Sequence, residues 1–247
     1  MKLAGKVAIV TGGSRGIGEA IVEKMTREGA TVTSFDISAP GAPPAGDSTL
    51  RVDVTRESEV SAAVEAVCKQ HGKIDILINN AGVNAYFDAT TMTEQQWDAV
   101  FAVDLKGAWL CAKHVLPSMK AARRGSIVNI ASIHANLTIG GMFPYAAAKS
   151  GLVGLTRSLA LDYAAMNIRV NAVLPGWTRT ALVQEWFDLQ PDPKAAEESI
   201  LNVHPMKRIA TPMEVANLVA FVASDEASAI TGASLSVDCG LGVQFAT

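Results

Sequence analysis

Apolar residues along this chain follow two periods. Short β-branched or aliphatic runs bounded by turn residues occur at Val7–Val10, Thr31–Phe35, Leu50–Val54, Ile74–Ile78, Ser126–Ile130, Arg169–Leu174 and Ser234–Val237, and they predict seven strands. Between them lie longer stretches with apolar positions three and four apart, such as Ile17, Ile21 and Met25 before Gly29, or Val60, Ala63, Val64 and Val67 before Gly72. These predict helices. Strand and helix in alternation imply a seven-stranded parallel sheet covered by helices on both faces, a doubly wound α/β fold. Ala39–Gly46, rich in Pro and Gly, reads as a loop, and Gly176–Pro205 is the longest stretch without a predicted strand. No repeat or linker divides the chain, so residues 1–247 are expected to form a single domain.

Composition narrows the function. Of 247 residues, 49% are hydrophobic and 18% charged, too apolar for disorder and ample for a core. The 21 basic and 24 acidic residues give a net charge of −3, and no basic cluster exceeds Arg123-Arg124, so a nucleic-acid footprint is missing and a small-molecule partner is expected. Cys68, Cys111 and Cys239 are far apart and lack metal spacing, which points to a reducing compartment and predicts no metal. The longest stretch free of Asp, Glu, Lys and Arg, the 24 residues Gly125–Ala148, carries Asn129, Ser132, His134, Asn136 and Pro144 and does not read as a membrane span. The early apolar run Val7–Val10 is too short for a signal peptide. A cytoplasmic protein is the expectation.

The first predicted strand runs into Thr11-Gly12-Gly13-Ser14-Arg15-Gly16-Ile17-Gly18 and then a helix. Glycines at 12, 16 and 18 let backbone N–H groups and the helix N-terminus approach a pyrophosphate, the physics of a Rossmann-type dinucleotide cradle. The spacing Gly-x-x-x-Gly-x-Gly departs from Gly-x-Gly-x-x-Gly, and three glycines after a strand are also a common turn. Asp36, at the end of the second predicted strand, strengthens the reading, because a carboxylate there accepts both adenosine ribose hydroxyls and repels a 2′-phosphate. It favours NAD over NADP. Arg15 pulls the other way, since a guanidinium in the loop can pair with a phosphate.

Tyr145 and Lys149 stand four apart on a predicted helix and so face the same way. Using a phenol as a base near neutrality means stabilising phenolate by roughly 3 pK units, about 4 kcal/mol, and a neighbouring ammonium and an oxidised nicotinamide both push in that direction. Tyr145 then takes a hydroxyl proton while hydride leaves the same carbon. Taken singly, such a pair is usually an ordinary amphipathic one. Its company decides the matter.

Thr11–Gly18, Asp53-Val54, Asn79-Asn80-Ala81-Gly82, Ser132, Tyr145-Ala146-Ala147-Ala148-Lys149, Asn171 and Pro175-Gly176, in this order, strongly resemble the motifs of the short-chain dehydrogenase/reductase family across nearly the whole chain. The resemblance implies that Ser132 hydrogen-bonds the reacting oxygen beside Tyr145 and Lys149. It implies that Gly12, Ser14, Arg15, Gly16, Ile17 and Gly18 cradle the cofactor, and that Asp53 and Val54 contact adenine. Asn80, Ala81 and Gly82 would line the cofactor, and Thr178 and Thr180, after Pro175 and Gly176, would meet the nicotinamide. It further implies a homotetramer packed through the helices holding Asp104–Met119 and Tyr145–Ala165. One departure stands out: in Val103-Asp104-Leu105-Lys106-Gly107 the family usually has Asn at position 104, a fourth catalytic member that helps hold a proton-relay water.

Substrate choice is expected to fall to Ile133–Phe143 and to Gly176–Pro205, the latter long enough for a lid, because both follow strand carboxyl ends. Candidate polar contacts are His134, Asn136, Asn84, Arg179, Gln184 and His204, with Trp177, Leu182, Trp186 and Phe187 as apolar walls. This set leans toward a sugar, sugar acid or polyol, with Arg179 as a carboxylate partner. The alternatives are a 3-oxoacyl-thioester reductase and, from another class, a catalytically silent dinucleotide-binding sensor, which would bind NAD and release no NADH.

Overall fold

The structure is a computed structural model that describes residues 1–38 and 48–244. The predicted loop Ala39–Gly46 lies outside the described residues. Seven strands, β1 (Val7–Thr11), β2 (Thr31–Asp36), β3 (Ser48–Arg51), β4 (Ile76–Asn79), β5 (Gly125–Ile130), β6 (Ile168–Pro175) and β7 (Ser234–Val237), form one parallel sheet in the order β3-β2-β1-β4-β5-β6-β7. This is the expected doubly wound α/β fold. Strand order reverses direction between β1 and β4, so the loops leaving their carboxyl ends diverge and open a crevice there.

Helix α1 (Gly16–Arg27) and α8 (Pro212–Ala223) cover one face, burying Ile21, Met25, Val215 and Val219 against Val10, Ile78 and Val128. The other face carries α2 (Glu57–His71) and α4 (Ala108–Ala122), whose Val60, Val64, Val115 and Met119 pack on Ile9, Leu77 and Ile127; α5 (Tyr145–Tyr163) joins them through Ala160. With both faces covered, β1, β4, β5 and β6 are buried throughout, which is why their sequences read as continuous apolar runs. Helix α8 starts where Thr211 and Glu214 cap each other's backbone and Pro212 supplies a preset φ, and α2 stops at Gly72, whose φ of +75° suits the left-handed turn.

Two predicted strands shift. β3 spans Ser48–Arg51 instead of Leu50–Val54, and β4 begins at Ile76 instead of Ile74. Val52, Val54 and Ile74 are buried nonetheless, packed beneath α2 and α4, with the Val52 N–H still donating to the Asp36 carbonyl of β2 at 2.9 Å. The stretch Gly176–Pro205 contains α6 (Ala181–Asp188) and α7 (Pro193–Val203), begun by side-chain caps from Thr180 and Asp192. A continuous helical run joins α3 (Glu94–Phe101) to α4 through a widened π turn at Ala102–Gly107, which buries Asp104. Among the described residues no helix is long and apolar enough to cross a membrane, and no group of His, Cys, Asp and Glu is placed to hold a metal.

Candidate active site

The loop after β1 is built around glycine. Gly12 and Gly16 have φ of +65° and +61°, and a Cβ at Gly18 would overlap the Gly12 carbonyl oxygen and Asn80 Nδ2. Arg15 precedes α1 without a capping side chain, so the first-turn N–H groups of α1 have no side-chain acceptor among the described residues. A diphosphate supplies the acceptors such a terminus lacks, and the cradle therefore fits a dinucleotide.

Across the crevice, Asn80 ties the loop after β4 to this one. Its Nδ2 donates to the carbonyls of Thr11 and Gly12, 3.0 Å each, while Thr11 Oγ1 accepts the N–H groups of Asn80 at 3.0 Å and Ala81 at 2.9 Å. Thr11 was not anticipated as a clamp, although a hydroxyl at the end of a buried strand has to find polar partners. Thr180 brings the loop after β6 against the cradle, its Cγ2 facing Gly16 across 3.5 Å of Cβ space. Thr178 is buried with its hydroxyl donating to the Gly176 carbonyl.

Asp36 sits at the cradle's edge, accepting the N–H of Ser14 at 3.1 Å and of Ser38 at 2.9 Å. Burial pushes its carboxyl up, but these hydrogen bonds outweigh it and hold the group below the ordinary carboxylate range. Asp53 is half-buried, accepting from the Thr55 N–H and hydroxyl and pairing with Arg56, and Val54 is buried beside it.

The second cluster lies at the carboxyl ends of β5 and β4. Ser132 follows β5 and accepts the His134 N–H at 3.2 Å, which leaves its hydroxyl proton to donate. Tyr145 and Lys149 extend from the first and second turns of α5, with Lys149 Nζ 5.5 Å from the Tyr145 ring centre and donating to the Ile130 carbonyl at 3.3 Å. Burial pushes the Tyr145 phenol up to about 12; a hydrogen bond with Ser132 eases it back and Asp104 raises it further. Burial pulls Lys149 down while Asp104 props it up. In the protein alone the phenol is therefore raised and not depressed, with Ser132 as the one group that lowers it.

Asp104 is 1% exposed, and its Oδ1 lies 3.9 Å from Lys149 Nζ and accepts the Val83 N–H at 2.8 Å. Its Oδ2 is buried with no hydrogen-bond partner among the described residues. Burial pushes its carboxyl up against the pull of Lys149 and Val83. Gly82 lets the two groups meet, since a Cβ there would stand 3.0 Å from Asp104 Oδ1 and 3.1 Å from Lys149 Nζ.

The expected substrate contacts divide. His134 packs edge-on to Tyr145, ring centres 6.1 Å apart, and Trp186 leans on Trp177 at 5.1 Å. Asn136 is exposed just beyond the turn that carries His134. Four further candidates already have partners within the protein. Arg179 already has its carboxylate, Glu197 on α7. Gln184 donates to Asp188 one turn on. His204 is wholly buried, its Nδ1 bonded to the Ile200 carbonyl at 2.6 Å, and Phe187 is buried under Trp177.

Similarity to known proteins agrees with this arrangement. The family profile described as enoyl-(acyl carrier protein) reductase, a short-chain dehydrogenase/reductase profile, matches residues 12–242. A 3-oxoacyl-[acyl-carrier-protein] reductase of Thermotoga maritima is 39% identical over 98% of this chain and 99% of its own. The oxidoreductase UcpA of Salmonella typhimurium is 37% identical over 97% and 95%. Among solved structures, the aldohexose dehydrogenase of Thermoplasma acidophilum superposes with a TM-score of 0.93 at 39% identity, covering 98% of this chain and 96% of its own. Levodione reductase gives 0.92 at 33% identity, covering 98% and 100%. The chain belongs to the short-chain dehydrogenase/reductase family and is an oxidoreductase of CH–OH and keto groups that works with a nicotinamide cofactor.

Proposed function

We propose that this protein transfers hydride between NAD and a hydroxylated secondary alcohol, a sugar, sugar acid or polyol, or the corresponding ketone. The observation that carries the cofactor choice is Asp36. Its carboxylate is fixed by two backbone N–H groups on the rim of the cradle and stays ionised, so it accepts ribose hydroxyls and opposes a 2′-phosphate. Gly12 to Gly18 with Asn80, Ala81 and Gly82 would hold the cofactor, and Thr178 and Thr180 would close its nicotinamide side. When bound, the oxidised nicotinamide accepts hydride and adds a positive charge beside Tyr145.

Tyr145 takes the substrate's hydroxyl proton, and Ser132 donates to the reacting oxygen. Lys149, buried beneath the phenol, stabilises the phenolate through its charge, and Asp104 steadies that charge. Their presence together argues against a silent sensor. The hairpin of α6 and α7 acts as the substrate lid, pinned by Arg179 to Glu197. Assembly as a homotetramer uses α4 and α5, where Trp109 and Leu161 stand exposed.

The sugar reading is supported by the similarity to aldohexose dehydrogenase. A second reading, reduction of a 3-oxoacyl thioester, is favoured by the similarity to the Thermotoga maritima reductase. Specificity constants with the two cofactors, measured on a panel of sugars, polyols and hydroxy acids, are expected to favour NAD by at least about tenfold, or 1.4 kcal/mol. Parity, a preference for NADP, or turnover confined to an acetoacetyl thioester would overturn the reading.

A further inference from the structure

His134 is a polar side chain beside the reacting groups that the proton chemistry does not use. It is held in place twice. Its backbone N–H serves Ser132, and its ring stands edge-on to Tyr145 at 74° between planes. The remaining question is which ring nitrogen carries the proton. Thr138 Oγ1 donates to the Ile139 carbonyl at 3.4 Å, so its lone pairs remain to receive His134 Nδ1–H, 3.2 Å away. The tautomer that donates Nδ1–H to Thr138 leaves the lone pair on Nε2. Burial holds the imidazolium form down, so the ring is neutral at pH 7. Among the described residues Nε2 has no hydrogen-bond partner, and it is not one of the atoms sealed from solvent.

An accessible acceptor beside the catalytic phenol is suited to a hydroxyl, and to a hydroxyl different from the one that Ser132 and Tyr145 engage. We infer that His134 accepts a hydrogen bond from a second hydroxyl of the substrate, on the carbon next to the one oxidised, and so selects vicinal diols over isolated alcohols. One hydrogen bond to Tyr145, a vicinal O–C–C–O unit and one hydrogen bond to Nε2 would link the two rings. A keto oxygen at the second position would find no donor on this nitrogen. The inference rests on the proposed alcohol oxidation and specifies its substrate class. Thr138 acts as the positioning residue, fixing the tautomer.

The test compares each vicinal diol with its matching mono-alcohol, for example trans-1,2-cyclohexanediol with cyclohexanol, using NAD and reading the ratio of their kcat/KM values. His134→Phe keeps the backbone donor to Ser132 and the aromatic contact with Tyr145. It is expected to lower the diol-to-alcohol ratio at least tenfold. His134→Gln keeps an acceptor and is expected to recover part of the ratio, while Thr138→Val, which frees the tautomer, lowers it by an intermediate factor. An unchanged ratio in an active His134→Phe enzyme overturns the inference, as does a wild type that does not prefer the diol. Absence of NADH from every alcohol in the panel would instead sink the proposed function itself.

Discussion

Replacing Asp104 with Asn is expected to move the rising, acid-side limb of the pH–kcat profile for alcohol oxidation to lower pH by at least about one unit. Asp104, Lys149 and Tyr145 titrate as one network, so the prediction concerns the network's first proton loss and not a single residue. With Asp104 ionised, carboxylate, ammonium and phenol sum to zero, and losing a proton creates a net negative charge in a buried site. With Asn the same loss takes the network from one positive charge to none, and it comes more easily. Lys149 Nζ and Asp104 Oδ1 are 3.9 Å apart. At that separation one charge is worth about 4 kcal/mol at an effective dielectric constant near 20, or roughly three pH units. Burial pushes the Asp104 carboxyl up and so weakens its charge, and only a fraction reaches the profile. Because an amide keeps an oxygen for the Val83 N–H, the fold is preserved and kcat at each enzyme's own optimum stays within about tenfold, 1.4 kcal/mol. Steady-state NADH formation from pH 5 to 11, with thermal denaturation as the control for folding, reads the effect. A limb that stays in place or moves to higher pH in a folded variant would refute the charge argument.

Two further outcomes follow from the site. Tyr145→Phe removes one oxygen and is expected to lower kcat at least about 10²-fold while NAD binding, followed by calorimetry, is retained; wild-type turnover would exclude the phenol from proton transfer. Gly18→Ala forces a Cβ onto the Gly12 carbonyl and Asn80 Nδ2, so NAD affinity should fall at least tenfold together with the melting temperature, and an unperturbed binding isotherm would contradict the cradle.

Much of this architecture is legible in sequence because a parallel sheet with both faces covered writes its strands as apolar runs. The misplaced β3 shows the limit. Leu50, Val52 and Val54 signal burial, yet only ladder pairing with β2 decides where the strand lies, and that pairing runs through Ser48–Arg51. The helices in Gly176–Pro205 were marked by Thr180 and by Asp192-Pro193, cap signals that a search for strands passes over. The spacing of Tyr145 and Lys149, the proposed catalytic pair, is local to one helix and survives intact in the fold. The partners of Arg179 and the burial of His204 depend on how α6 and α7 fold back, which no short-range pattern encodes. Arg169, read as the start of a strand, proves to be a buried guanidinium bonded to the carbonyls of Val222, Ala223 and Ser224 at the end of α8.

The clamp between Thr11 and Asn80 also bears on how the protein comes into being. Asn80 reaches Thr11 across 69 residues of chain, and β1, entirely buried, has β4 as one of its two neighbours. During synthesis the N-terminal segment emerges first, so Val7–Thr11 presents an unpaired apolar edge until β4 arrives, and pairings this distant in sequence form late. The nucleotide cradle is therefore assembled by the closing of the central sheet and not by the glycine loop alone. A nascent or truncated chain ending before β4 carries the whole Gly12–Gly18 motif and lacks its second wall. At the proposed cofactor site, a dinucleotide that binds only the assembled wall would draw the folding equilibrium toward completion by mass action.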